Sequence, residues 1–277
     1  MNYTVITTFN QAGLELYGQR MIDNFEKFWP QSVKLKVYAE NCQPRVSRSN
    51  TEILDILEVS PACREFVERH KNNPQAHGEL GSDNQAVYVK NKAFRWQAVR
   101  FCFKVFALQH AANNTESDRL IWLDADTLTH TPVPLEWLGS VCPDGVLASY
   151  LGRTDRYHSE CGWIGYNLHD ALTRPFIDSV ACLYITDELF KYPEWHDSFL
   201  WDIIRKRYRD ELKANFFNIN PDPDTKGRAK HPFINSELGR YMDHMKGDRK
   251  DKGHSNSNEV VLHQDNPYWR NVIRSLR

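Results

Sequence analysis

The chain opens on an alternating, β-branched run from Tyr3 to Thr8, which predicts a strand ending in polar Thr7, Thr8 and Asn10. A helical pattern follows from Leu16 to Trp29 and is stopped by Pro30; Lys34 to Tyr38 then reads as a second strand. This opening is a βαβ unit, the building block of a parallel sheet. Residues 40 to 60 carry Asn, Pro, Arg and Ser and read as a loop, and 61 to 72 as a helix. Residues 73 to 86 have loop composition. A long helix is expected from about Tyr88 to His110, apolar almost all round through Phe94, Trp96, Val99, Phe101, Phe103, Val105, Phe106 and Leu108. Its one polar stripe is Gln97, Arg100 and Lys104.

Downstream, Leu120-Ile-Trp-Leu123 is a short apolar run that stops abruptly at Asp124 and Asp126. Val146 to Tyr150 and Gly162 to Tyr166 are further strand candidates, with helices over 168 to 183 and 197 to 213. Asn218 to Lys230 reads as a loop, Asn235 to Met245 as a helix, and Val260 to His263 as a last short strand. There is no internal repeat and no low-complexity tract. The pattern predicts an α/β fold that opens on a parallel βαβ unit, and the length suits one large domain or two small ones.

Composition changes this picture little. At 277 residues, 41% hydrophobic and 26% charged, the chain falls with ordinary globular proteins. A net charge of -1 argues against binding bare duplex DNA through bulk charge, although Lys246, Arg249, Lys250 and Lys252 form a local basic cluster. None of the six cysteines forms a CxxC pair, so a zinc ribbon or redox motif has no support, and their spacing suits free thiols of a reducing compartment. The opening MNYTVITTFNQ lacks a basic segment followed by an apolar one, and no apolar run approaches a membrane span. The chain therefore reads as cytoplasmic, and the N-x-T sequons at Asn2 and Asn113 as accidents.

Asp124 and Asp126 are the strongest chemical signal. At strand spacing their side chains leave on one face. Two carboxylates side by side repel unless a cation lies between them, and oxygen ligands favour Mg²⁺ or Mn²⁺. A lone D-x-D is common by chance, but this one ends an apolar strand, and open α/β sheets bind ligands at the carboxyl ends of their strands.

The run Leu120-Ile-Trp-Leu-Asp-Ala-Asp-Thr127 resembles the vlYLDaDt signature of GT-A glycosyltransferases, especially the glycogenin-like and lipopolysaccharide galactosyltransferase group. His244-Met-Lys-Gly-Asp-Arg-Lys250 resembles the H-x-x-G-x-x-K motif of the same group. The resemblance implies a GT-A-like (Rossmann-like) α/β fold, a central mixed sheet flanked by helices in a single domain over 1–277, with a nucleotide-sugar-binding half over 1–130 and an acceptor-binding half over 131–277. It also implies metal ligation by Asp124, Asp126 and His244, and a donor diphosphate lined by Ala125, Lys246, Gly247 and Lys250. In that group the histidine follows an apolar strand, whereas here it follows the helix-like run Leu238 to Asp243. His263, after Val260-Val-Leu, is therefore the alternative third ligand.

By the same resemblance, Arg100 and Lys104 on the helix before D-x-D lie near the donor phosphates, and Thr7, Thr8 and Phe9 line the nucleotide base pocket. A structural salt bridge from that helix to Asp124 or another carboxylate is the competing reading, and the two can hold together. Glu160-Cys-Gly-Trp-Ile-Gly-Tyr-Asn167 resembles the FNSGvmliN strand, and Trp195-His-Asp-Ser198 falls at the group's DQD motif with Ser198 in place of glutamine. Asp197 is the candidate for acceptor activation, beside Asp126 as the other catalytic acid; the competing reading has Asp197 capping the following helix. The H-x-x-G-x-x-K resemblance implies retention, an inverting reaction could use Asp197 or Glu160 as its base, and the stereochemical outcome stays open. These expectations add up to a metal-dependent enzyme moving a sugar from a nucleotide-diphosphate donor, UDP-linked by preference, to a hydroxyl. The acceptor is expected to be a saccharide, with a hydroxylated base in DNA as one alternative. A nucleotidyltransferase or a non-catalytic nucleotide- or glycan-binding module is the other.

Overall fold

The computed structural model describes residues 1–79, 94–154, 157–220, 222 and 231–274. The chain folds around a seven-stranded mixed sheet in the order β3-β2-β1-β4-β7-β6-β8. Its strands are β1 (Tyr3–Asn10), β2 (Lys34–Glu40), β3 (Thr51–Asp55), β4 (Arg119–Leu123), β6 (Ala148–Leu151), β7 (Glu160–Asn167) and β8 (Phe216–Asn218). β3, β2, β1 and β4 run parallel, β7 is antiparallel to β4 and to β6, and β8 is parallel to β6. A separate two-stranded ribbon joins β5 (Thr127–Thr129) to β9 (Met242–His244).

The sheet is buried on both faces, so its central strands read as nearly unbroken apolar runs. Alternate residues divide between two cores. Val5, Val37, Ile121 and Trp163 face one, with Phe25 and Trp29 stacked behind them. Ile6, Tyr38, Trp122 and Ile164 face the other, beneath the Ala98–Asn113 helix. Each such apolar side chain taken out of water contributes about 1.5–3 kcal/mol before the entropy of ordering is charged against it.

Parallel β1, β2 and β4 end at the same edge of the sheet, and antiparallel β7 begins there. Leu123 pairs with Trp163, and the Asp124 amide donates to the Gly162 carbonyl at 2.9 Å. Whatever follows β4 is thereby set against the start of β7.

Several elements differ from expectation. The loop assigned to residues 40 to 60 contains β3, an edge strand whose Thr-Glu-Ile-Leu-Asp sequence is too short and mixed to show a period. The long helix begins at Ala98, not Tyr88: residues 94 to 96 form a separate turn, and 80–93 lie outside the described residues, as do most of 218–230. No helix spans Asn235 to Met245. A single 3₁₀ turn, Glu237–Arg240, is followed by β9, because Gly239 packs against the Ile234 backbone and Met242 to His244 complete a ladder with β5. Val260 to His263 is not a strand; those residues follow the short turn Ser257–Glu259 and precede the helix Pro267–Arg274. Among the described residues, no helix is long and apolar enough to cross a membrane.

Candidate metal centre and active site

The acidic pair does not lie within a strand. β4 ends at Leu123, and Asp124 and Asp126 occupy the tight turn that follows, closed by the Thr127 amide donating to the Asp124 carbonyl at 3.0 Å. The turn, rather than strand pleat, brings the two side chains together. β5 leaves it at once, and its first residue, Thr127, pairs with His244 of β9. The Met245 amide donates to the Asp126 carbonyl at 2.9 Å, fixing the register.

His244 therefore enters the site from a strand, as the resembling group has it. Its Nε2 lies 3.1 Å from Asp126 Oδ1 and 3.4 Å from Asp124 Oδ2, and the three side chains offer ligand atoms all within 4.8 Å of one another. Two carboxylate oxygens and one imidazole nitrogen are a suitable donor set for a hard or borderline divalent cation. His263 is placed elsewhere, with Nε2 2.7 Å from the Ser236 carbonyl.

A second layer orients the imidazole. His231 Nε2 donates to the His244 carbonyl at 2.9 Å, and Ser255 donates from its amide and hydroxyl to Asp243. His244 Nδ1 is buried and 3.3 Å from Glu160 Oε1, in ion-pair reach but off the line of a hydrogen bond. Glu160 is itself held by Lys246 and Arg153. Burial opposes charge on Glu160, yet Lys246, Arg153 and His244 hold its carboxyl well below the usual range.

The two aspartates stay ionised for the same reason. Burial pushes the Asp124 carboxyl up, but Lys104, His244 and the Trp122 indole, which donates at 2.6 Å, bring it down. Burial works against Asp126 too, and His244 and Lys250 overcome it despite the neighbouring Asp124. Lys250 Nζ sits 3.0 Å from Asp126 Oδ2 and 4.9 Å from the centre of the Tyr17 ring. Tyr17 comes from a π-helical turn, Leu14–Gly18, of the kind often found at functional sites. Asp124, with a side chain 30% exposed, opens the centre to solvent.

Lys104 is spoken for. Its Nζ reaches Asp197 at 2.6 Å, the Cys161 carbonyl at 2.6 Å and Asp124 at 3.3 Å, using the three donors an ammonium has. It couples the Asp124–Asp126–His244 group to Asp197, in the first turn of the Asp197–Leu212 helix. His196, not Asp197, occupies the N-cap position. Arg100 is exposed at the same mouth, close enough to Lys250, Tyr17 and Glu40 to influence their ionisation. Gly247 is exposed with φ +59, a turn conformation that suits glycine. Ala125 is buried between the aspartates.

At the end of β1, Thr7 and Phe9 are buried, while half-buried Thr8 donates to the Tyr38 carbonyl at 2.6 Å and to Glu40 at 2.8 Å. The basic cluster is not a free patch: Lys246 pairs with Glu160, Arg249 with Glu259, Lys250 with Asp126 and Lys252 with Asp248. Sequence reasoning missed Arg153, Tyr17 and His231. None stands in a motif: Tyr17 comes from the unforeseen π turn, and Arg153 and His231 from irregular segments after β6 and before the Glu237–Arg240 turn.

No protein-family model matches this chain, and no curated protein does. Among solved structures it is similar to apo mouse xyloside xylosyltransferase 1, at 10% identity over 79% of this chain and 85% of that one, with a TM-score of 0.46. It is similar also to a glycosyltransferase involved in glycosylation of the major capsid of PBCV-1, at 12% identity over 91% and 99%, with a TM-score of 0.47. The apo WbbM bifunctional glycosyltransferase matches at 13% identity and a TM-score of 0.47 over 99% of this chain, which spans about half of that protein at 51%. These likenesses are loose in both sequence and superposition.

Proposed function

We propose that this chain is a metal-dependent glycosyltransferase that moves a sugar from a nucleoside-diphosphate donor, UDP-linked by preference, to a hydroxyl of a saccharide. The observation that carries the reading is the convergence of Asp124, Asp126 and His244 at the sheet edge where parallel β1, β2 and β4 end. The vlYLDaDt and H-x-x-G-x-x-K resemblances support it independently of that geometry.

In this reading Asp124, Asp126 and His244 hold Mn²⁺ or Mg²⁺. The bound cation would neutralise the charge that grows on the departing diphosphate. Lys250, on the outer side of Asp126, and exposed Arg100 supply further positive charge to the phosphates, and Gly247 lets backbone approach them. Thr8 and Glu40 face the nucleoside. The parallel half of the sheet serves the donor and the β6–β8 half the acceptor. The bond between the anomeric carbon and the diphosphate oxygen breaks with its electron pair going to the diphosphate. The acceptor hydroxyl oxygen forms the new bond, and its proton passes to the departing diphosphate oxygen or to water.

Lys104 Nζ holds an Asp197 carboxylate oxygen at 2.6 Å. We assign Asp197 the positioning of a sugar or acceptor hydroxyl through a hydrogen bond. The pairing of every member of the basic cluster with a carboxylate favours a saccharide over a DNA acceptor. Six free cysteines suit a reducing compartment, in keeping with a cytoplasmic location.

The test is incubation with UDP-, GDP- and dTDP-sugars plus Mn²⁺. Slow, metal-dependent hydrolysis of one donor, abolished in Asp126→Ala, is the expected result. Unimpaired turnover in Asp126→Ala would sink the metal assignment, and donor binding without turnover under any acceptor would make the chain a binding module.

A further inference from the structure

A second convergence of ligand-type side chains lies beside the α-helix that carries Asp197. His158, Glu194 and His196 offer three ligand atoms within 4.8 Å of one another. His196 Nε2 is 2.9 Å from Glu194 Oε2, and His158 Nε2 is 3.3 Å from the same oxygen. In a tetrahedral zinc site with bonds of about 2.0–2.2 Å, neighbouring ligand atoms stand about 3.3–3.5 Å apart. The spacing here needs only small side-chain shifts to reach that.

The surroundings are those of a held site. The other Glu194 oxygen accepts from Arg95 at 2.6 Å, which leaves Oε2 as a single inward-facing donor. The outer hydrogen bonds of a carboxylate ligand serve this purpose in metal sites. The backbone beside His158 is pinned, because the Ser159 amide and hydroxyl each donate to buried Asp202 at 2.7 Å. The Trp195 amide donates to the Arg95 carbonyl at 2.7 Å and fixes the segment bearing Glu194 and His196. Phe94, Phe101 and Phe199 pack around the two imidazoles and exclude water from one side.

We propose that His158, Glu194 and His196 form a second divalent-metal site, of the two-imidazole, one-carboxylate kind that takes Zn²⁺, with the fourth position left to water. It is distinct from the Asp124 centre in ligand chemistry, being richer in nitrogen, and does not depend on the function proposed above. Because His196 precedes Asp197, a metal there would tie the loop before β7 to the helix that positions Asp197.

The test titrates chelator-stripped full-length chain with Zn²⁺ alone, against a chromophoric competitor, as wild type, Asp126→Ala, His158→Gln and the double variant. Asp126→Ala should still bind one Zn²⁺ tightly, His158→Gln should bind one fewer than wild type, and the double variant should bind none. Co²⁺ added to Asp126→Ala should give the intense visible bands of tetrahedral coordination, absent from the double variant. Failure of Asp126→Ala to bind Zn²⁺, or equal stoichiometry in wild type and His158→Gln, overturns the proposal. Should Asp126→Ala not fold, the wild-type and His158→Gln comparison decides alone, since His158 is a partly exposed loop residue whose loss leaves the core intact.

Discussion

The space that Gly162 leaves empty is filled by His244: a Cβ on residue 162 would stand 2.4 Å from His244 Cε1 and 2.6 Å from its Nδ1. β7 must therefore be bare at the point where it passes the imidazole. Gly162→Ala should push the ring off Asp124 and Asp126 and weaken Mn²⁺ binding by about tenfold or more, as loss of outer-shell support does in other sites. Its overpacking cost should be about 1–3 kcal/mol. Free Mn²⁺ followed by electron paramagnetic resonance, beside a thermal melt, checks both. Unchanged affinity would mean that His244 is no ligand.

Lys104 is a buried cation serving two carboxylates, and removing one member of such a cluster costs more than the cluster contributes. Lys104→Met should destabilise the chain by about 3–5 kcal/mol by leaving half-buried Asp124 and Asp197 without their cation. Adding Asp197→Asn should recover part of that loss. Urea denaturation of the two variants measures it, and a single-variant loss below about 1 kcal/mol would mean that water already solvates the carboxylates.

The parts legible in the sequence were those that depend on local pattern. β1, β2, β4 and β7 show as apolar runs because both sheet faces are covered, and D-x-D shows because it ends one of them. What stayed hidden depends on contacts across long separations. β5 and β9 are three residues each, too short for any period, and exist because Thr127 and His244 meet. The motif spacing nevertheless picked out His244 over His263, although the segment before it looked helical. The choice between donor contact and salt bridge for Lys104 could not be read from a stripe on a helix, since its partners Asp197 and the Cys161 carbonyl come from two other elements.

Lys250 faces the metal centre from outside, with Asp126 on one side and Tyr17 on the other. In Lys250→Ala the three ligands remain, so Mn²⁺ should still bind. UDP affinity should fall by about tenfold, the equivalent of about 1.4 kcal/mol, with a shallower salt dependence. Calorimetric titration of UDP in the presence of Mn²⁺ at two salt concentrations reads this. An equal loss of Mn²⁺ and UDP affinity would reassign Lys250 to holding Asp126 in place.

Glu40, at the end of β2, gives the fold a pH dependence of unusual sign. Burial pushes its carboxyl up to about 7, against the pull of the Thr8 hydroxyl and of Arg100. An unfolded glutamate titrates near about 4.3. Between these values the folded chain holds a proton that the unfolded chain has lost. The contribution is therefore complete below the unfolded value, falls as pH rises through about 7, and is flat above. A gap of that size corresponds to at most about 4 kcal/mol, less what partial exposure and Arg100 screen. Glu40→Gln keeps an acceptor for Thr8 without the charge. It should stabilise the chain by about 2–3 kcal/mol at pH 8 and by about 1 kcal/mol at pH 5, by the same linkage. Urea unfolding at the two pH values decides it: equal effects at both would mean that Glu40 titrates as an ordinary surface carboxylate.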